Sequence, residues 1–233
     1  MRYAVNVSML EQFNRYLLER CTYQQLLDSV FDRDEESMPM RLGTAFHAIL
    51  EDPEAHRHTL GDGSQGRGYY GEPGLLALTQ ETLDQALQYV PVLGSREMKG
   101  QTQFMMDDGN ILVVSMRCDH IVGSSIIDHK SKWTKPPSDY NIGSVVDQYM
   151  DSVQGLYYIK GFCADSVQYV IYWMSQTHPW AEIEHIQTVT ITAPSNLDEI
   201  LSDHCKHFYE WAGNVGLMDN LIERAERTPL EIF

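Results

Sequence analysis

Between residues 96 and 132 the chain reads as three strands joined by two short turns, and this run limits the fold more than any other feature. REMKGQTQFMM (96–106) and ILVVSMRCDHIV (111–122) flank DDGN, a hairpin signal, and SSIIDHKSK (124–132) follows across a Gly123-Ser124 turn. The expectation is an antiparallel meander. Its third strand ends on IIDHKSK (126–132), where an apolar pair runs into an acid, an imidazole and two lysines. Side chains at i and i+2 of a strand share a face, so Asp128 and Lys130 point to one side of the sheet. Two readings are open at that point: an ion pair on a hairpin surface, or half of an active site.

The flanking segments suggest what packs on this meander. Residues 7–30 carry Met9, Phe13, Tyr16, Leu17 and Cys21 at helical spacing, and FDRDEESMPM (31–40) follows as a charged linker. RLGTAFHAILED (41–52) predicts a second helix with Leu42, Phe46, Ile49 and Leu50 on one face. GDGSQGRGYYGEPG (61–74) holds six glycines in fourteen residues and reads as a flexible loop. Its GDGSQG matches GxGxxG in form only, because no strand precedes it and no helix follows. Residues 75–90 and 144–163 return to helical period, 168–176 and 186–193 read as strands, and 198–212 as a closing helix. The expected fold class is mixed α/β (α+β), a central mixed sheet with the three-strand meander flanked by helices. A single domain over 1–233 is expected, with 1–93 mainly helical around the glycine-rich loop and 94–233 carrying the sheet.

Composition narrows the function classes. With 233 residues, 43% of them hydrophobic, the chain is long enough for a substantial core. Its apolar runs fall well short of the roughly 18 to 20 residues of a membrane span, and the N-terminus lacks a signal-peptide core. A soluble cytoplasmic protein with no membrane partner is expected. Cys21, Cys118, Cys163 and Cys205 show no CxxC spacing, which argues against a zinc site or an iron-sulfur cluster. The formal charge of -16 disfavours non-specific coating of nucleic acid, which relies on many lysine and arginine contacts to phosphate. Brief contact through a local basic patch and metal ions stays open.

Antiparallel pairing brings Asp119, near the end of the second strand, close to Asp128 near the end of the third. Two close carboxylates repel unless a cation lies between them, and hard divalent ions take such oxygen ligands. Lys130 then faces whatever the metal binds, and an anionic phosphate suits that arrangement.

The set Gly43-Thr-Ala-Phe-His47, Glu97, Arg117-Cys-Asp119, Asp128-His-Lys130 and Gln154-Gly-Leu-Tyr-Tyr158 resembles, in order and spacing, the PD-(D/E)xK nuclease superfamily, within it the RecB-type and phage RecE-type exonucleases. The resemblance covers roughly residues 40 to 160. It implies a restriction-endonuclease-like core and one or two magnesium or manganese ions held by Asp119, Asp128, His47 and the backbone carbonyl of His129. Glu97 resembles the strand glutamate that adds a ligand or holds a metal-bound water. Lys130 resembles the lysine that orients or helps deprotonate the attacking water and stabilises charge in the transition state. Gln154 and Tyr158 share a helix face and are implied to bind the DNA backbone or the catalytic groups, with ordinary packing as the alternative. Lys132, Lys135 and Lys160 form the expected local basic patch, and Arg67, Tyr69 and Tyr70 of the glycine-rich loop are expected to grip DNA. Cys118 stands where a proline often precedes the first acid, and the cluster-binding cysteines are missing, so no iron-sulfur cluster is expected.

The reading that follows is a Mg- or Mn-dependent exonuclease acting on linear duplex or single-stranded DNA, in phage-type recombination beside a single-strand annealing protein and, if phage-encoded, in the host cytoplasm. Homo-oligomeric assembly is open. A single-strand or flap nuclease, or an inactive nuclease fold serving as a binding module, are the alternatives. His204 and His207 at i and i+3 read as surface histidines, and no GxSxG, Walker A or HExxH motif occurs.

Overall fold

The structure, a computed structural model, describes residues 1–31, 37–59, 65–68, 71–72, 74–133, 139–177 and 180–227. In chain order its elements are β1 (Arg2–Asn6), α1 (Val7–Leu17), α2 (Tyr23–Val30), α3 (Met38–Glu51), β2 (Arg57–Thr59), β3 (Gln65–Gly68), β4 (Ala77–Thr79), α4 (Gln80–Leu87), β5 (Ser95–Met105), β6 (Ile111–Val122), β7 (Ser125–Lys132), α5 (Asp139–Met150), α6 (Val153–Gly161), β8 (Ser166–Thr177), β9 (Trp180–Thr192), α7 (Leu197–Asn214) and α8 (Met218–Arg227). The strands make one mixed sheet in the order β1-β6-β7-β8-β9-β4-β3-β2, with β5 paired to β6.

The meander forms as expected, but its last hairpin is short. β5 runs antiparallel along β6 from Ser95↔Ile121 to Met105↔Ile111. On the other edge of β6, β1 pairs in parallel only as far as Asn6↔Ser115, and β7 pairs only from His120↔Ile127 to Val122↔Ser125. Beyond those three pairs β7 leaves β6 and follows β8 in parallel, from Ser125↔Ser166 to Lys132↔Trp173. Between Ser115 and His120 that edge of β6 has no strand beside it among the described residues, and a cleft opens there.

β8 is buried on both faces, which is why its sequence is a nearly unbroken apolar run. Val167, Tyr169, Ile171 and Trp173 enter a core with α1, α6 and α7, while Val170, Tyr172 and Met174 enter a second core with α3 and α4. α8 packs Ala225 against Ala4 and Val113 on the other end of the sheet.

Several boundaries differ from the sequence expectation. The helix expected over 7–30 is two helices: Glu19 adopts a left-handed backbone (φ 57°), and Thr22 and Gln25 form a reciprocal cap that starts α2. Residues 65–68, expected as loop, are strand β3, where Gly66 is required because a Cβ would lie 2.7 Å from the Leu78 carbonyl oxygen. The helix expected over 75–90 begins with strand β4, and α4 starts only where the Thr79 hydroxyl accepts from the Thr82 N–H. Residues 1–93 thus contribute β1 to β4 as well as helices, and β1 and α8 have no counterpart in the sequence reading.

Candidate active site

Where β6 and β7 part, their facing backbone groups no longer satisfy each other. The His129 N–H, turned toward β6, donates to Asp119 Oδ2 at 2.7 Å. In an extended strand the carbonyl of a residue faces the same edge as its N–H, so the His129 carbonyl is turned to the cleft as well. α3 crosses behind this point and places His47 Nδ1 3.6 Å from the same Asp119 oxygen, beyond hydrogen-bonding distance. Gly43, one turn earlier, allows this approach: a Cβ there would lie 3.3 Å from Ser131 Oγ of β7. Asp128 and Lys130 share a face of β7 as their spacing requires, with Nζ 2.6 Å from Oδ2. Asp119, Asp128, Lys130, His47 and Tyr158 together line a cleft of about 640 Å³, whose remaining walls come from β5, β6, the start of α1 and the end of α8.

Burial dominates the electrostatics. It pushes the carboxyl of Asp128 upward against the pull of Lys130, and Asp119 adds to the rise. Asp119 is raised by the same cause. Burial, with Lys130, lowers His47 to about 4, so its imidazole is neutral near pH 7 with a lone pair to offer. His129 is lowered to about 3 by burial and the nearby histidines, and its Nδ1 lies 3.0 Å from the Tyr172 hydroxyl, on the face of β7 away from Asp128. Burial alone would lower Lys130, but Asp128, Tyr158 and Asp119 outweigh it and hold the ammonium well above the usual lysine range.

Gln154 Nε2 donates to the Tyr158 hydroxyl at 3.0 Å, as expected for an i, i+4 pair on α6. Glu97 sits across from Asp119 with a left-handed backbone (φ 49°) and pairs with Arg117 Nε at 3.1 Å. Its carboxyl is raised by burial, with Arg117 opposing. Lys132 lies 5.3 Å from the centre of the Tyr149 ring in a second cavity of about 230 Å³ that Lys130 also lines.

Two other expected DNA contacts, Lys160 and Arg67, are not at the site. Lys160 pairs with Asp198 at 2.7 Å and lines a separate surface depression with α7, away from the acids. Arg67 is buried in β3, where its guanidinium donates to the Gly66 carbonyl and pairs with Glu54 at 3.1 Å, so it has no free fork to offer a polymer. Tyr69, Tyr70 and Lys135 lie outside the described residues.

The cleft contains cations to which the sequence reading gave no role. Lys99 on β5, Arg117 on β6 and Arg227 at the end of α8 line it with Lys130; Lys130 pairs with Asp128, Arg117 with Glu97 and Arg227 with Glu223. Arg15 and Arg20 line the second cavity with Lys132. Lys99 has a sequence signal, since it follows Glu97 by two positions on one strand. Arg227 has none, because only folding brings α8 to this end of the sheet.

The donors suit a hard divalent cation in kind: two buried carboxylates, of which Asp119 raises Asp128, a neutral imidazole and a strand carbonyl. As the side chains stand, no three His, Cys, Asp or Glu groups among the described residues are gathered around one point. One Asp119 oxygen is taken by His129 and one Asp128 oxygen by Lys130.

No protein-family model matches the chain, and no curated protein matches its sequence. Among solved structures, a phage-related exonuclease from Haemophilus somnus 129PT is similar at 12% identity and TM-score 0.45, covering 89% of this chain and 82% of its own. An alkaline exonuclease from Laribacter hongkongensis is similar at 11% identity and TM-score 0.47, covering 96% of this chain and 94% of its own, and a structure of it in complex with dAMP gives the same identity and TM-score.

Proposed function

We propose that the protein is a metal-dependent deoxyribonuclease that hydrolyses phosphodiester bonds from DNA ends. The observation that carries this reading is the parting of β6 and β7. It collects Asp119, Asp128, His47 and Lys130 in one cleft whose walls also carry Lys99, Arg117 and Arg227, in a chain whose net charge is -16. A polyanion is repelled by most of such a surface and drawn to this part of it.

Asp119, Asp128, His47 and the His129 carbonyl would hold a magnesium or manganese ion. When bound, that ion supplies a Lewis acid for the phosphate and lowers the pKa of a bound water. Asp128 keeps Lys130 in place on the shared face of β7, where its ammonium donates toward the phosphate and offsets charge developing on the phosphoryl oxygens. Tyr158 and Gln154 form a hydrogen-bonded wall beside Lys130 that limits where a backbone can lie. Glu97 holds Arg117 against the floor of the cleft next to Asp119. A setting in phage-type recombination beside an annealing protein rests on the sequence resemblance.

End-labelled linear duplex, single-stranded DNA and covalently closed circles of the same sequence, incubated with magnesium, manganese or EDTA, test this reading. Linear DNA should be shortened only with a divalent ion while closed circles survive. Circles nicked as fast as linear DNA is shortened would replace the exonuclease with an endonuclease, and cleavage persisting in EDTA would remove the metal mechanism.

A further inference from the structure

We propose that Lys99 and Arg117 seat the phosphate next to the scissile one, so that the bound strand runs along β6 from Asp119 toward Ser115. The inference rests on the nuclease reading and adds to it a substrate path and two positioning residues.

Lys99 and Arg117 are direct cross-strand partners on β5 and β6, followed by Gln101↔Ser115. Like charges placed directly opposite each other in a sheet are destabilising. Glu97 compensates Arg117 at 3.1 Å, while Lys99 has no ion-pair partner among the described residues. One carboxylate for two facing cations leaves a position that an anion would satisfy.

Ser115, Arg117 and Asp119 alternate along β6 and all three line the cleft, while α8 packs on Val113 and sets Glu223, Arg224 and Arg227 around a smaller cavity at Ser115. Two residues along a strand span about 6.6 to 6.8 Å, so the cation pair is one step from the reacting acids and on the same surface. Arg227 lines the same cleft and pairs with Glu223 at 3.5 Å. A planar guanidinium beside an ammonium gives a phosphodiester directed donors and a point charge, a combination suited to the two non-bridging oxygens that share its single negative charge. The chemical class is therefore the phosphodiester backbone of an extended nucleic-acid strand, read through charge and without base contacts.

The test uses oligonucleotides in which a single neutral methylphosphonate replaces the linkage one position to either side of the cleaved bond. For the wild-type protein, neutralising one of these two positions should raise KM about 10-fold, the size of one lost charge-assisted hydrogen bond, with little change in kcat. Lys99→Gln should show the raised KM already on unmodified DNA and no further rise on the modified strand, while Lys99→Arg should restore the wild-type pattern. The proposal is overturned if wild type cleaves DNA but neither modification matters, or if Lys99→Gln responds to them as wild type does. Absence of any metal-dependent cleavage by wild type would instead bring down the nuclease reading and this path with it. Lys99 is exposed, and melting curves of each variant show whether a kinetic change comes from folding.

Discussion

The His129 N–H reaches Asp119 Oδ2 at 2.7 Å across the gap where β6 and β7 separate. One carboxylate thus satisfies a backbone donor of a broken ladder and stands in the cleft. These two duties can be separated by substitution.

Asp119→Asn retains a carbonyl oxygen to accept from His129 but loses the charge for a cation. It should melt like wild type and show no metal-dependent cleavage. Asp119→Ala loses both, and the unpaired N–H should lower stability by about 1 to 3 kcal/mol. Equal melting temperatures for the two variants, measured by circular dichroism, would show that the Asp119 to His129 bond does not hold the hairpin.

Tyr158 is only 2% exposed and belongs to the main core, yet its hydroxyl meets Gln154 and its ring borders the cleft. Tyr158→Ala should therefore cost roughly 3 to 5 kcal/mol of stability, as deletion of a buried aromatic does. Tyr158→Phe keeps the packing and removes the hydroxyl. It should keep the melting temperature and lower turnover, and a Phe variant with unchanged kinetics would confine Tyr158 to packing.

His204 is buried rather than on the surface, its Nδ1 3.1 Å from the Tyr157 hydroxyl and its ring against Phe13. Burial, with His207, lowers it from 6.5 to about 4. Between those values the unfolded chain binds a proton that the folded protein does not, so stability present near pH 7 is lost as pH falls through this window. The loss attributable to this residue should be roughly 2 to 3 kcal/mol. Urea midpoints at about pH 7.5 and pH 5 should converge in His204→Gln relative to wild type, and an identical pH slope in both proteins would contradict the assignment.

Local chemistry made part of this molecule readable before folding. The DDGN and Gly123-Ser124 turns join strands that are neighbours in sequence, and the two-residue repeat of a strand places Asp128 beside Lys130 wherever that strand lies. The spacing of Gln154 and Tyr158 likewise sets a shared helix face. Features that depend on distant partners were not readable. Arg67 looks like a loop cation in sequence and becomes buried because β4 pairs with β3 and Glu54 meets its guanidinium. The three-pair limit of the β6–β7 hairpin follows from the pairing of β7 with β8, some forty residues on, and of β1 with β6 from the start of the chain. Arg227 reaches the cleft because α8 packs on Ala4 and Val113. Turn preference and side-chain alternation act over a few residues, whereas the opening of a cleft depends on which strand edges find partners, and that is settled by contacts distributed over the whole sheet.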